Sequence, residues 1–229
     1  RGIVICLRHK GFAQIEVREN VLHCGAGARL NHIANSARDA GLAGLEFLEG
    51  IPGCLGGALR MNAGAWGGET FEQVESVRFM TRDGQIEERL GFEMGAVYRS
   101  CPVLRDHIAL SAVLRGELEG REEVRARMDA FRKQRTESQP HNRSAGCMFK
   151  NPEALSAGKL VDECRLKGLR VGGAMVSERH GNFIVNDGTA TANDVLTLIE
   201  QVQERVKTER GIDLYTEVQV VGEPLPESE

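Results

Sequence analysis

Between Gly41 and Gly68 the chain reads GLAGLEFLEGIPGCLGGALRMNAGAWGG. Glycine interrupts this stretch too often for a stable helix, since each glycine in a helix interior costs about 1 kcal/mol relative to alanine. It is also too apolar for a solvated loop. Of the 229 residues 27 are glycine, and they concentrate here. A buried backbone of this kind must still satisfy its N–H groups. Two readings are open: tight structural turns, or a loop whose N–H groups receive the phosphates or ring carbonyls of a nucleotide or cofactor. No GxxxxGK[ST] occurs and no GxGxxG opens a helix, so neither of the familiar mononucleotide and dinucleotide motifs applies.

Around this stretch the periodicity alternates between strand and helix. Ile3–Leu7, Gln14–Val17 and Val21–Cys24 read as short strands separated by turn formers. Leu30, Ile33, Ala34 and Ala37 fall at helical spacing and predict a helix over Ala28–Ala40. Val74–Thr81 and Ile86–Leu90 flank Asp83-Gly84, a hairpin signal, and Ile108–Leu114 is a further strand. Glu122–Glu137 is a charged helix with Val124, Met128 and Phe131 as a narrow apolar stripe, ended by Gln139-Pro140. A short helix over Ala157–Cys164 precedes strands at Val171–Val176 and Phe183–Asn186. Ala192–Arg210 is the clearest helix, with Thr191 and Gly211 as its caps. A last strand, Thr216–Val221, contains Glu217. The mixture predicts an α+β protein.

The charge balance of −4 offers no basic field for nucleic acid, and no apolar run approaches membrane-spanning length. The six cysteines show no CxxC spacing and no clustered histidines, so no metal site is expected. With no secretory signal in view, reduced thiols in a cytoplasm are the expectation. The opening Arg1-Gly2-Ile3-Val4-Ile5 has no methionine and reads as mid-strand, so an N-terminal piece is expected to be absent.

The densest mixture of chemistries is Gly146-Cys147-Met148-Phe149-Lys150-Asn151-Pro152. As a strand leaving a tight turn it would place Cys147, Phe149 and Asn151 on one face and Met148 and Lys150 on the other. That pattern suits a site. The competing reading is a small buried cysteine with no chemistry.

Gly50-Ile51-Pro52-Gly53 running to Met61-Asn62-Ala63-Gly64-Ala65-Trp66-Gly67-Gly68, then Tyr98-Arg99-Ser100, then the Cys147 stretch with Ala157-Gly158-Lys159-Leu160, resemble one family in order. Leu166-Lys167-Gly168, Val171-Gly172-Gly173-Ala174, Asn182-Phe183-Ile184-Val185-Asn186 and Thr216-Glu217-Val218 extend the likeness. The family is UDP-N-acetylenolpyruvoylglucosamine reductase (MurB). The resemblance implies an FAD-binding subdomain of the vanillyl-alcohol-oxidase type plus a smaller α+β substrate-binding subdomain. It implies that 1–136, rejoined by 212–229, is the second FAD-binding subdomain, that 137–211 takes the substrate, and that the first FAD-binding subdomain precedes Arg1. The interval from Arg99 to Cys147 is that of the family's shorter form.

The activity so implied is the reduction of the enolpyruvyl ether of a UDP-sugar in peptidoglycan synthesis, with NADPH as hydride source and FAD as carrier. The protein is expected to be a cytoplasmic monomer. Arg99 matches the family's catalytic arginine and Glu217 its catalytic glutamate. Cys147 stands where the family usually has a proton-donating serine. Gly53, Gly56, Gly57, Asn62, Ala63 and Gly64 are the implied flavin contacts. Tyr98, Lys150, Asn151, Lys167 and His180 are the implied substrate contacts, Lys167 suiting a diphosphate as a point charge. The alternatives are another FAD-dependent oxidase of the same fold, or a non-catalytic nucleotide-sugar-binding remnant.

Overall fold

The computed structural model describes residues 4–7, 9–153 and 155–222. The chain divides into two compact units, one within Ile3–Arg135 and the other within Thr136–Glu229. Each has its own hydrophobic core.

The first unit opens with an antiparallel pair, β1 (Ile15–Arg18) and β2 (Val21–Gly25). α1 (Leu30–Asp39) follows and buries Leu30, Ile33, Ala34 and Ala37, the face their spacing defines. The glycine-rich stretch contributes β3 (Leu42–Ala43), α2 (Leu55–Met61) and the small hairpin of β4 (Gly64–Ala65) and β5 (Gly68–Glu69). β6 (Val74–Met80) and β7 (Ile86–Leu90) form the hairpin around Asp83-Gly84. β8 (Ile108–Arg115), β9 (Glu117–Leu118) and α3 (Arg121–Ser138) complete the elements. The antiparallel sheet runs β1-β2-β8-β6-β7, and β3 pairs separately with β9. Residues 4–7 form no strand; Val4 and Ile5 are exposed. Ile3, the first residue of the predicted strand, lies outside the described residues.

α2 corrects the expectation that no helix forms in Gly41–Gly68. Its Leu55, Ala58 and Leu59 are buried. Its first N–H groups are met from outside: Leu55 donates to the Ala28 carbonyl at 2.9 Å and Gly56 to that of Ala26 at 2.8 Å. A Cβ on Gly56 would approach the Ala26 Cβ to 3.2 Å, so the glycine permits the close approach that burial then stabilises. Asn62, left-handed at φ 41°, ends the helix, and the Ala63 N–H reaches back to the Ala58 carbonyl at 2.9 Å, as in a Schellman closure.

The second unit holds β10 (Arg143–Cys147), α4 (Ala157–Glu163), β11 (Arg170–Val171), β12 (Ala174–Val176), β13 (Phe183–Asn186) and α5 (Ala192–Arg210). Its sheet runs β10-β13-β12-β11. α5 buries Leu198, Ile199, Val202 and Val206 and packs on β11 and β12. Thr191 caps its start and Gly211, at φ 69°, its end. The strand predicted over Val171–Val176 is instead a hairpin folded at Gly172-Gly173, with Val171 opposite Ala174. A glycine pair is a turn former, and here it outweighs the apolar run.

The predicted strand Thr216–Val221 shrinks to a single bridge between Thr216 and Phe149; Val220 and Val221 are exposed. Residues 212–222 also differ from the expected division, which returned them to the first unit. Leu214 is buried in the second core with Ile212 and Val218 packed against it, and Gln203 Nε2 donates to the Leu214 carbonyl at 2.8 Å. The chain leaving α5 thus returns to the second core at Ile212, Leu214 and Val218.

Candidate active site

The first unit contains a cavity of about 1100 Å³, at the upper end of the usual size for cofactor sites. Its walls include Gly53, Gly56 and Gly57, together with Arg29, Arg60 and Arg135. Gly53 (φ 151°) and Gly57 have nothing within 4 Å of where a Cβ would stand, so their bare backbone faces open space. Among the described residues of the lining Glu49 is the one carboxylate, and Arg132 Nη2 donates to it at 2.6 Å. The local excess of guanidinium suits an anionic, diphosphate-containing ligand. His107, also in the wall, stacks on Phe79 with centroids 5.4 Å apart, and its buried Nδ1 has no hydrogen-bond partner among the described residues. A large polar cofactor fits these residues.

The N–H groups of the glycine-rich stretch are mostly committed to the protein itself. Gly56 and Ala63 donate as described above, Gly57 donates to the Cys54 carbonyl and Asn62 to that of Leu59. Gly64 is required by packing, since a Cβ there would lie 2.6 Å from the Gly68 carbonyl oxygen. The stretch is therefore a structural cradle whose openings are Gly53 and Gly57.

Tyr98 and Arg99 form the tip of a two-residue turn in which Val97 and Ser100 exchange both backbone hydrogen bonds, at 2.8 and 3.0 Å. Arg99 has φ 54°, a conformation costing a non-glycine residue about 1–2 kcal/mol. Its guanidinium lies 4.7 Å from the Tyr98 ring centroid and donates to the Gly64 carbonyl at 3.0 Å. Strain of this kind persists where the surroundings over-determine it, and here the turn and the Gly64 carbonyl hold Arg99 in place.

Cys147 ends β10 opposite Phe183 of β13, across a bulge that begins after Ser144. Gly146, at φ 84°, supplies the left-handed residue such a bulge uses. Beyond it the expected two-faced alternation fails, because Met148 and Phe149 are both buried. The reason is Asn182, itself buried, whose side chain behaves as an extra peptide group. Its Oδ1 accepts the Phe149 N–H at 2.9 Å, its Nδ2 donates to the Phe149 carbonyl at 2.8 Å, and its own carbonyl accepts the Met148 N–H at 2.9 Å. On the other edge Lys150 N–H donates to Tyr215 and Glu217 N–H to Met148. The structure thus brings the Cys147 and Glu217 positions together on neighbouring segments of the second unit, while Arg99 and Tyr98 belong to the first. Of the other thiols, Cys24 is pushed up to about 12 by burial and Cys101 is raised by it, so both are inert structural groups.

Among the predicted substrate contacts, Asn151 Oδ1 accepts the Ala157 N–H at 3.0 Å and so helps cap α4, beside the Ser156 hydroxyl that accepts from Lys159. Lys167 Nζ is paired with Asp162 at 2.8 Å. His180 is half-buried against Phe183, with Nδ1 accepting the Asn182 N–H at 3.2 Å. Burial, and then the charge of Lys167, hold its imidazole below the ordinary histidine range. Lys150 is half-buried. Asn182 lies in a motif of the resemblance, but its bonds to Phe149, and the grouping of Arg29, Arg60 and Arg135, had no sequence signal, because both depend on positions far apart in the chain.

A profile of the C-terminal domain of UDP-N-acetylenolpyruvoylglucosamine reductase matches residues 139–221, and one of an FAD binding domain matches residues 1–89. The UDP-N-acetylenolpyruvoylglucosamine reductase of Paramagnetospirillum magneticum is 45% identical to the chain over 96% of its residues and 72% of that protein. That of Nitrobacter winogradskyi is 42% identical over 96% of the chain and 73% of the relative. The chain belongs to the UDP-N-acetylenolpyruvoylglucosamine reductase family. The crystal structure of the reductase (MurB) from Thermus caldophilus superposes with a TM-score of 0.77 at 44% identity, over 86% of this chain and 71% of that one. Within this reductase family member, the FAD-binding match spans Gly53 to Gly64 and the C-terminal match spans Cys147 and Glu217.

Proposed function

We propose that this chain is an NADPH-dependent UDP-N-acetylenolpyruvoylglucosamine reductase that uses FAD and acts in peptidoglycan synthesis. The observation that carries the reading is the pairing of Glu217 with Met148, which sets a carboxylate residue beside a thiol residue in the segment matched by the family's own C-terminal domain. FAD, when bound, supplies a hydride accepted from NADPH. Gly53 and Gly57 would hold it by close backbone approach, with Gly56 in the wall between them, and Arg29, Arg60 and Arg135 would offset the charge of its diphosphate.

With FAD and substrate bound, hydride addition at the enolpyruvyl methylene carbon would leave negative charge on the neighbouring carbon and its carboxylate. Arg99 stabilises that negative charge; a guanidinium does so without giving up a proton. Cys147 gives its S–H proton to the carbon, completing the lactyl ether, and solvent later reprotonates the thiolate. A thiol, with an ordinary pKa of about 8.5, is a stronger acid than the serine hydroxyl it replaces. Glu217 orients the donor. Tyr98, Lys150, Asn151, Lys167 and His180 bind the UDP-sugar. The reading carries with it a cytoplasmic monomer serving cell-wall biogenesis, and through it cell shape and division.

The test is NADPH oxidation by the purified FAD-loaded protein with and without the enolpyruvyl UDP-sugar. Substrate-dependent oxidation with formation of the lactyl product supports the reading. NADPH oxidation that proceeds equally with oxygen alone marks a different FAD-dependent oxidase, and no turnover with bound UDP-sugar marks a binding remnant.

A further inference from the structure

Asn62 is buried, with 3% of its surface exposed, and every polar atom of its side chain has a partner in the protein. Nδ2 donates to Glu69 Oε2 at 2.8 Å and to the Val97 carbonyl at 3.3 Å, and Oδ1 accepts the Phe71 N–H at 3.1 Å. The Val97 carbonyl is the same oxygen that accepts the Ser100 N–H and closes the Tyr98–Arg99 turn. The far end of Arg99 is fixed from the same side. Its Nη2 donates to the Gly64 carbonyl at 3.0 Å, and Gly64 pairs with Glu69 in the β4–β5 hairpin. One carboxamide therefore ties together the base of the turn, the hairpin strand beneath the guanidinium and the start of the segment at Phe71.

We propose that Asn62 is a positioning residue for Arg99, holding the turn and the guanidinium in register through Val97 and Glu69. The proposal rests on the catalytic assignment of Arg99 above and adds to it a part for a side chain whose carboxamide is bonded to Glu69, Val97 and Phe71. Asparagine suits the position twice over: it tolerates the left-handed conformation at φ 41° better than most side chains, and its carboxamide carries two donor hydrogens and an acceptor to join carboxylate, carbonyl and N–H.

Asn62→Gly keeps the left-handed backbone and removes only the carboxamide. In the FAD-loaded protein it is expected to slow substrate-driven flavin reoxidation roughly 10- to 100-fold, and flavin reduction by NADPH much less. In an Arg99→Lys background the same substitution should add little, because the two residues act as one unit. In the FAD-free protein the Arg99 Nε–H signal should become more mobile by NMR relaxation. Asn62→Asp, which sets a carboxylate against Glu69, should reproduce the loss and be rescued by Glu69→Gln. The proposal is overturned if the loss is equally large in the Arg99→Lys background, if both half-reactions slow equally, or if the Arg99 signal does not move. If Arg99→Lys by itself leaves reoxidation as in the parent, it is the catalytic assignment of Arg99 that fails; the NMR comparison still decides whether Asn62 positions the side chain.

Discussion

The backbone N–H of Glu217 donates to the carbonyl of Met148 across 2.7 Å. Seventy positions of sequence separate the Cys147 and Glu217 segments, and this bond, with the Thr216–Phe149 bridge, makes them neighbours. The account assigns the proton to Cys147. Cys147→Ala should slow substrate-driven flavin reoxidation by about 10²–10⁴ and leave NADPH-driven reduction intact. Cys147→Ser should retain a substantial part of the rate. Stopped-flow measurement of each half-reaction decides it, and equal rates for the two variants would remove the assignment.

Gly57 offers a prediction in which stability and binding move in opposite directions. It lies in α2 with open space where its Cβ would be, in the wall of the cavity. Gly57→Ala should stabilise the FAD-free protein by a few tenths to about 1 kcal/mol, the helix preference for alanine. Gly57→Leu should fold and yet bind FAD far more weakly. Thermal melts without FAD and fluorescence titration with it give the two readouts; unimpaired FAD binding by Gly57→Leu would move the cofactor away from this wall.

A second stability prediction concerns Glu46, a carboxylate with 6% exposure. It accepts the Gly44 N–H at 2.8 Å and two donors of Arg127 at 2.9 and 2.7 Å. Arg127 also pairs with Glu119, and both partners raise its pKa. Arg127→Met would leave the Glu46 charge buried without a cation. Discounting for the exposed outer edge of the pair, the loss should be roughly 1–3 kcal/mol, read by urea denaturation. Arg127→Met combined with Glu46→Gln should recover part of it.

His180 gives a pH dependence with a defined sign. Its folded pKa is lowered, chiefly by burial, so the unfolded chain takes up its proton first as pH falls. The stability His180 contributes is whole above the unfolded value of about 6.5 and is lost as pH falls from there through the lowered folded value. Denaturation between pH 8 and 5 should therefore show a shallower decline for His180→Gln than for the parent. Identical slopes would contradict the shift.

What the sequence revealed was what repeats locally. The apolar stripe of α5 with Thr191 and Gly211 at its ends, and the hairpin at Asp83-Gly84, could be read because the signals sit within a few residues of each other. α2 could not, because Gly56 and Gly57 look like helix breakers until the Ala26 and Ala28 carbonyls are there to accept the Leu55 and Gly56 N–H groups. The turn at Gly172-Gly173 was hidden inside an apolar run, although the glycine pair was a usable sign. For function, the motifs pointed to Arg99, Cys147 and Glu217 as the proposed catalytic residues. They did not reveal that Asn62 and Asn151 spend their carboxamides on the protein, or that Asn182 completes the strand at Phe149, since none of those bonds leaves a periodic pattern in the sequence.

The most direct test of the central claim is the visible spectrum of the purified FAD-loaded protein under anaerobic conditions, before and after NADPH and again after the enolpyruvyl UDP-sugar. The account predicts that the flavin band bleaches with NADPH and returns with the sugar. A band that bleaches and stays bleached when the sugar is added would contradict it.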